Sequence, residues 1–139
     1  MRILGIDYGD ARIGLALSDE SETLASPLGT YQSKSMRKDI DYIANLAKEK
    51  AVGLIVVGLP ISMDGRMGER VEKTKAFGEV LSRVSGIEVC YKDERLTTVS
   101  AERALIECSM RREKRKEVID TVSAQIILQS YLDAKKRLG

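Results

Sequence analysis

Asp7, Glu94 and Asp120 are carboxylates set far apart in a chain of 139 residues that contains no histidine. Each falls where a strand or helix is expected to begin or end. Brought together by the fold, they would form an oxygen-only pocket suited to a hard cation such as Mg²⁺ or Mn²⁺. Paired cations of that kind activate a water and neutralise the departing oxygen during in-line displacement at a phosphodiester, so the pattern points to a metal-dependent nuclease. Asp7 is the best placed to bridge two cations, with Glu94 and Asp120 each holding one side. With no imidazole available, proton removal would rest on the metal, the phosphate or a carboxylate.

Whether the three converge depends on the elements that carry them. Residues 2–7 read as a strand, and Ile13, Leu15 and Leu17 alternate with smaller residues in a second; the intervening Tyr8-Gly9-Asp10-Ala11 predicts a hairpin turn. Leu28 to Tyr31 adds a third strand. From Ser35 the period becomes helical, with Met36, Ile40, Ile43 and Ala47 on one face. The continuous apolar run Val52 to Val57 suits a strand covered on both faces. Gly58-Leu59-Pro60 stops it, and a glycine-containing loop over 61–68 leads into a helix whose face is Val71, Thr74, Phe77, Leu81 and Val84. Ile87, Val89 and Tyr91 alternate in a fifth strand. Two further helices are predicted over 98–108 and 117–136, separated by the charged segment 111–116. The order is β-β-β-α-β-α-β-α-α, an α/β fold with a mixed five-stranded sheet and helices on both faces, forming one domain over 1–139.

Each acidic residue also has an ordinary explanation. Asp7 lies at a strand end, where α/β sites collect, but Asp also bonds its own turn. Glu94 lies in Lys92-Asp93-Glu94-Arg95-Leu96-Thr97-Thr98, where a threonine would cap the next helix; if the strand runs on, Asp93 and Glu94 face opposite ways. Asp120 would serve as an N-cap, yet it shares a helical stripe with Ala124, Ile127 and Tyr131. A buried carboxylate in that position calls for a cation or a hydrogen-bond partner.

Apolar residues make up 43% of the chain, enough for one packed core. The 23 basic and 21 acidic residues nearly cancel to +2, so net charge does not announce a polyanion binder and local clusters matter more. Arg12 and Arg95, beside the predicted site, could orient phosphate with their planar forks or act as surface ion-pair residues. Arg66 and Arg70 could close over a backbone from the 61–68 loop. Arg111, Arg112, Lys114 and Arg115 could track phosphates, although Glu113 and Glu117 interrupt the run and give it the look of a solvated connector. Tyr8 and Tyr91 flank the site. Tyr8 could stack a base, whereas Tyr91 alternates with Val89 and belongs in the sheet. Cys90 and Cys108 lack metal-ligand spacing and read as reduced, partly buried residues. No leader-like or membrane-length apolar segment is present, which makes a soluble cytoplasmic protein the expectation.

Gly5-Ile6-Asp7-Tyr8-Gly9 with Arg12-Ile13-Gly14, Val57-Gly58-Leu59-Pro60, Asp93-Glu94-Arg95-Leu96-Thr97-Thr98, and Ile119-Asp120 leading to Ala124-Gln125-Ile126-Ile127-Leu128-Gln129 and Tyr131-Leu132 resemble the YqgF/RuvX family nearly end to end. The resemblance implies an RNase H-like fold. It also implies a nuclease activity described both as maturation of the precursor 16S rRNA end in ribosome biogenesis and as Holliday-junction resolution in recombination and repair. It further implies that Asp7, Glu94 and Asp120 are the acidic triad. Arg66 departs from the small hydroxyl residue common after the loop glycine in the family.

Two other classes fit parts of the pattern. The Gly5-to-Gly9 turn also resembles the phosphate turn of actin-like ATPases and sugar kinases, but these close two lobes and the chain has length for one. A non-catalytic RNA-binding ribosome-assembly factor would keep the fold without needing the triad. Expected partners are therefore precursor rRNA or branched DNA, with ribosomal particles on the first alternative. A junction-cutting enzyme would be a homodimer, matching the two-fold arms, and an RNA-processing one a monomer.

Overall fold

A computed structural model describes residues 1–61, 65, 68–96 and 112–138. Three antiparallel strands open the chain: β1 (Arg2–Tyr8), β2 (Arg12–Ser18) and β3 (Ala25–Gln32). Then follow α1 (Met36–Glu49), β4 (Val52–Leu59), α2 (Glu69–Ser85), β5 (Glu88–Asp93), a single 3₁₀ turn (Glu94–Leu96) and α3 (Arg112–Leu138). The sheet order is β3-β2-β1-β4-β5, with β1 central, antiparallel to β2 and parallel to β4. This is the mixed five-stranded sheet expected from the sequence.

Period-two alternation sends the two sides of β1 to different layers. Leu4, Ile6 and Tyr8 join Ile13, Leu15, Ile55 and Val57 in a core closed by Ile40 and Ile43 of α1 and Phe77 and Leu81 of α2. Ile3 joins Ala16, Leu54 and Val56 on the opposite face, closed by Ala124, Ile127, Leu128 and Leu132 of α3. Helices therefore cover both faces, which is why β1 and β4 read as continuous apolar runs. Small residues let α3 lie close: a Cβ on Gly5 would stand 2.7 Å from Leu128 Cβ and 3.1 Å from the carbonyl oxygen of Ala124.

Local signals mark the element ends. Ser35 caps α1, its hydroxyl accepting from the Lys38 N–H at 3.3 Å. Gly86 ends α2 in the left-handed conformation, φ 72°. The hairpin after β1 closes with Gly9 N–H donating to the Arg12 carbonyl at 2.9 Å. Between β2 and β3, Asp19 accepts from the Ser21 hydroxyl and from the N–H groups of Thr23 and Leu24.

Several expectations need correction. Residues 112–116 are not a connector but the start of α3, so Asp120 lies roughly two turns inside that helix and is not its N-cap. The helical run continues through the charged stretch because Arg, Glu and Lys are good helix formers and none of them breaks the hydrogen-bond ladder. Periodicity puts Met36 and Val84 on buried faces, yet they are 39% and 55% exposed; Met36 is the first residue of α1 and Val84 the last but one of α2. Tyr8 does not face the predicted site. It is stacked on Phe77 with ring centroids 4.1 Å apart, because alternation turns it into the α1–α2 core. Tyr91 packs as expected, its hydroxyl donating to the Lys75 carbonyl at 3.2 Å. The predicted helix over 98–108 and Cys108 lie outside the described residues.

Candidate active site

Asp7 shares the parity of Ile3 and Gly5, so its side chain belongs to the α3 face of β1, and it is buried to 8% exposure. Its neighbours across the sheet are glycines. Gly14 is its registered partner on β2, and Gly58 follows the last registered pair with β4, Ile6 with Val57. A Cβ on Gly14 would run into the backbone carbonyl of Asp120. A Cβ on Gly58 would meet Ile127 of α3 and stand 3.0 Å from Glu94 Oε1. Asp120 thus sits over the strand on one side of Asp7 and the Glu94 carboxylate over the strand on the other. The glycines let α3 and Glu94 come close to the sheet on either side of Asp7.

The same parity separates Asp93 from Glu94. Cys90 packs toward α3 whereas Val89 and Tyr91 pack toward α2, and Glu94, in the turn that ends β5, reaches over Gly58 on the α3 side. Asp93 is engaged elsewhere: Arg95 Nη2 donates to it at 2.7 Å and Arg95 Nε at 3.0 Å, and these bonds hold its carboxyl below the usual carboxylate range. Arg95 is therefore tied to Asp93 in this structure. Cys90 is a free, partly buried thiol, as the sequence reading has it, and burial pushes its pKa up.

Arg12 meets one of the three carboxylates directly. Its Nε donates to Asp120 Oδ2 at 2.7 Å, a bond that spans the chain from the first hairpin to the last helix. The two side chains are 31% and 17% exposed, so the pair is partly screened from water. Arg70 stands on the first turn of α2 and donates to the Asp10 carboxylate and to the Tyr8 carbonyl, with Lys73 Nζ 3.2 Å from the same carboxylate. These two cations lower the Asp10 carboxyl pKa. Both arginines brace the β1–β2 hairpin, one against each neighbouring helix. Arg112, Lys114 and Arg115 begin α3, while Arg66 and Arg111 lie outside the described residues.

Among the described residues, no three or more Cys, Asp and Glu side chains stand close enough to hold a metal ion. The carboxylates share one face and one end of the sheet, with the Arg12 guanidinium on Asp120. Sequence reading missed the part played by Gly14 and Gly58. The available signal was a glycine interrupting each of two otherwise aliphatic strands, which marks a place where another group comes close.

The chain matches the family model described as "RuvX: Holliday junction resolvase" over residues 1–134. A protein of Caldanaerobacter subterraneus subsp. tengcongensis named "Putative pre-16S rRNA nuclease" is 50% identical over 98% of this chain and 99% of its own length. One of the same name from Thermoanaerobacter pseudethanolicus is 47% identical over the same shares. Among solved structures, RuvC of T. thermophilus in complex with a Holliday junction substrate superposes with a TM-score of 0.60 over 98% of this chain and 96% of that one, at 13% identity. That likeness establishes the RNase H-like fold.

Proposed function

Because this chain belongs to the RuvX family, we propose that it is a divalent-metal-dependent nuclease acting on precursor 16S rRNA during ribosome biogenesis, with Asp7, Glu94 and Asp120 as its active carboxylates. The observation that carries this is the central position of Asp7 between Gly14 and Gly58, with Asp120 over one glycine and Glu94 over the other. The substrate comes from the names borne by relatives at 47–50% identity over nearly their whole length.

The three carboxylates are the kind of donor a hard divalent cation takes; in this structure they do not stand close enough to hold one, so binding would have to draw them together. Asp7, Glu94 and Asp120 would hold Mg²⁺ or Mn²⁺, which when bound supplies an activated water and charge neutralisation at the leaving oxygen. The chain's own residues do the rest. Burial of Asp7 beneath α3 takes its carboxylate out of bulk water, which strengthens charge interactions there. Arg12, paired with Asp120, keeps a guanidinium at the edge of the site, where a phosphate oxygen can share its remaining donors. Arg95, next to Glu94 in the chain, adds a cation that would favour a polyanion.

A second substrate, the four-way DNA junction, is favoured by the description of the matching family model. A test incubates the protein with Mg²⁺ or Mn²⁺ against labelled precursor-16S ends, single-stranded RNA and a four-way junction. Cleavage of the precursor RNA with the junction left intact is expected. Junction cleavage alone, by a homodimer, would replace RNA with branched DNA as the substrate, and binding without cleavage would make the protein a ribosome-assembly factor. No described helix is long and apolar enough to cross a membrane, and the proposed partner, the ribosomal particle, sets the place of action in the cytoplasm.

A further inference from the structure

Arg70 stands at the start of α2, where its charge points to a contact for phosphate, yet its donors turn inward. Nη1 donates to the Asp10 carboxylate in the β1–β2 hairpin, and Nη2 donates to the carbonyl of Tyr8, the residue that follows Asp7. The last registered pair between β1 and β4 is Ile6 with Val57, so Tyr8 lies beyond that ladder. A main-chain acceptor in such a place needs a partner, and the guanidinium supplies one.

The same helix holds the Tyr8 side chain. Phe77 is seven residues on from Arg70, on the same face of α2, and stacks on the Tyr8 ring with centroids 4.1 Å apart. Thr74, between them, is buried and donates to the Arg70 carbonyl at 2.8 Å. Tyr8 is thus fastened to α2 at its carbonyl and at its ring, one residue past Asp7. Lys73 offers a contrast. Its Nζ is 3.2 Å from the same Asp10 oxygen, and among the described residues it reaches the hairpin at that carboxylate alone. The Arg70 and Lys73 side chains are 38% and 51% exposed, so a polyanion drawn by charge would feel both.

We infer that Arg70 is a positioning residue for phosphodiester cleavage, fixing the main chain at Tyr8 and through it the seat of the Asp7 carboxylate, and that it is not a contact for the nucleic acid; this rests on the nuclease function proposed above. Without its guanidinium the hairpin keeps the bond from Gly9 N–H to the Arg12 carbonyl and the bond from Ser33 N–H to the Ala11 carbonyl, but α2 holds Tyr8 by the ring alone. The strand survives, and what is lost is the precision with which its last residues are held. A reacting group misplaced by 1 Å loses about 10²-fold in rate.

The test compares native protein with Arg70→Met and Lys73→Met on labelled precursor-16S RNA. Anisotropy in chelator over a range of salt reads binding. Single-turnover cleavage at saturating RNA in Mg²⁺, well below the melting temperature of each protein, reads the rate. Arg70→Met should lose about tenfold to 10²-fold in that rate, while its affinity and salt dependence match those of Lys73→Met, which should cleave at the native rate. Arg70→Met cleaving at the native rate, whatever its melting temperature, would overturn the inference. So would an affinity that falls below that of Lys73→Met with a salt slope smaller by about 1, the mark of a lost phosphate contact. Independently of how that variant folds, the Arg70 side-chain nitrogen resonances of native protein should keep their positions when RNA is added in chelator; their movement would place Arg70 on the RNA. A native protein that cleaves no RNA would overturn the nuclease reading and the positioning role with it.

Discussion

Replacing Gly14 with Ala should damage activity and stability together, and the size of each effect follows from one contact. The added methyl would lie 2.5 Å from the carbonyl carbon of Asp120 and 3.3 Å from its Cα. Carbon atoms settle at about 3.5–4.0 Å, so α3 must retreat from β2 by about 1 Å at the turn that carries Asp120. Overpacking of this kind costs about 1–3 kcal/mol, a fall in melting temperature of about 3–12 °C for a chain of this length. Displacement of a reacting group by 1 Å costs about 10²-fold in rate. Gly53→Ala is the control, because there the new methyl meets only the exposed Met1 side chain, its Sδ foremost, which can swing aside. Backbone entropy alone favours Ala over Gly in a strand by about 0.5–1 kcal/mol, so Gly53→Ala should be neutral or stabilising. Circular dichroism melts and single-turnover cleavage of both variants decide it. A Gly14→Ala protein with the native melting temperature and native rate would show that α3 is not seated on β2 as described.

Other consequences follow from single contacts. Arg12→Gln frees the Asp120 carboxylate from its guanidinium and should tighten Mn²⁺ binding about fivefold, the worth of a partly exposed ion pair of about 1 kcal/mol; calorimetry showing weaker binding would mean that Arg12 positions Asp120 for the cation. Phe77→Ala removes the partner of Tyr8 and opens a cavity beneath β1, which should cost about 3–5 kcal/mol in urea unfolding. The Asp19 carboxyl, held at about 2 by the Ser21 hydroxyl and the N–H groups of Thr23 and Leu24, has a folded pKa below its ordinary 3.8. Its contribution to stability is therefore complete above about pH 4 and is lost as pH falls through 2. A carboxyl carbon NMR titration with a midpoint at 3.8 would contradict that turn geometry.

Most of the fold was legible because alternation and helical period are strong where a sheet is covered on both sides. The runs in β1, β2 and β4 located the three inner strands, and Asp7 at the end of the first was visible as a site candidate. What failed did so for identifiable reasons. Period-two alternation assigns a residue to a face but does not say which face holds the site, and so Tyr8 was put beside Asp7 when it points to the opposite core. Charge runs look like connectors, and the start of α3 was hidden because helix-forming Arg, Glu and Lys carry no apolar stripe there. The pairing of Arg12 with Asp120, 108 residues apart, and the bond from Arg70 to the Tyr8 carbonyl are products of tertiary packing. No local pattern encodes them.

The central claim is that Asp7, flanked by Asp120 and Glu94, is the heart of a metal-dependent phosphodiesterase. The most direct measurement compares native and Asp7→Asn protein on one labelled precursor-16S RNA, each with Mg²⁺, with Mn²⁺ and with chelator, after melting curves have shown both to be folded. The account predicts cleavage by the native protein only when a divalent cation is present, and a loss of at least about 10²-fold in the variant. Equal cleavage by the two proteins, or cleavage that survives chelator, would contradict it.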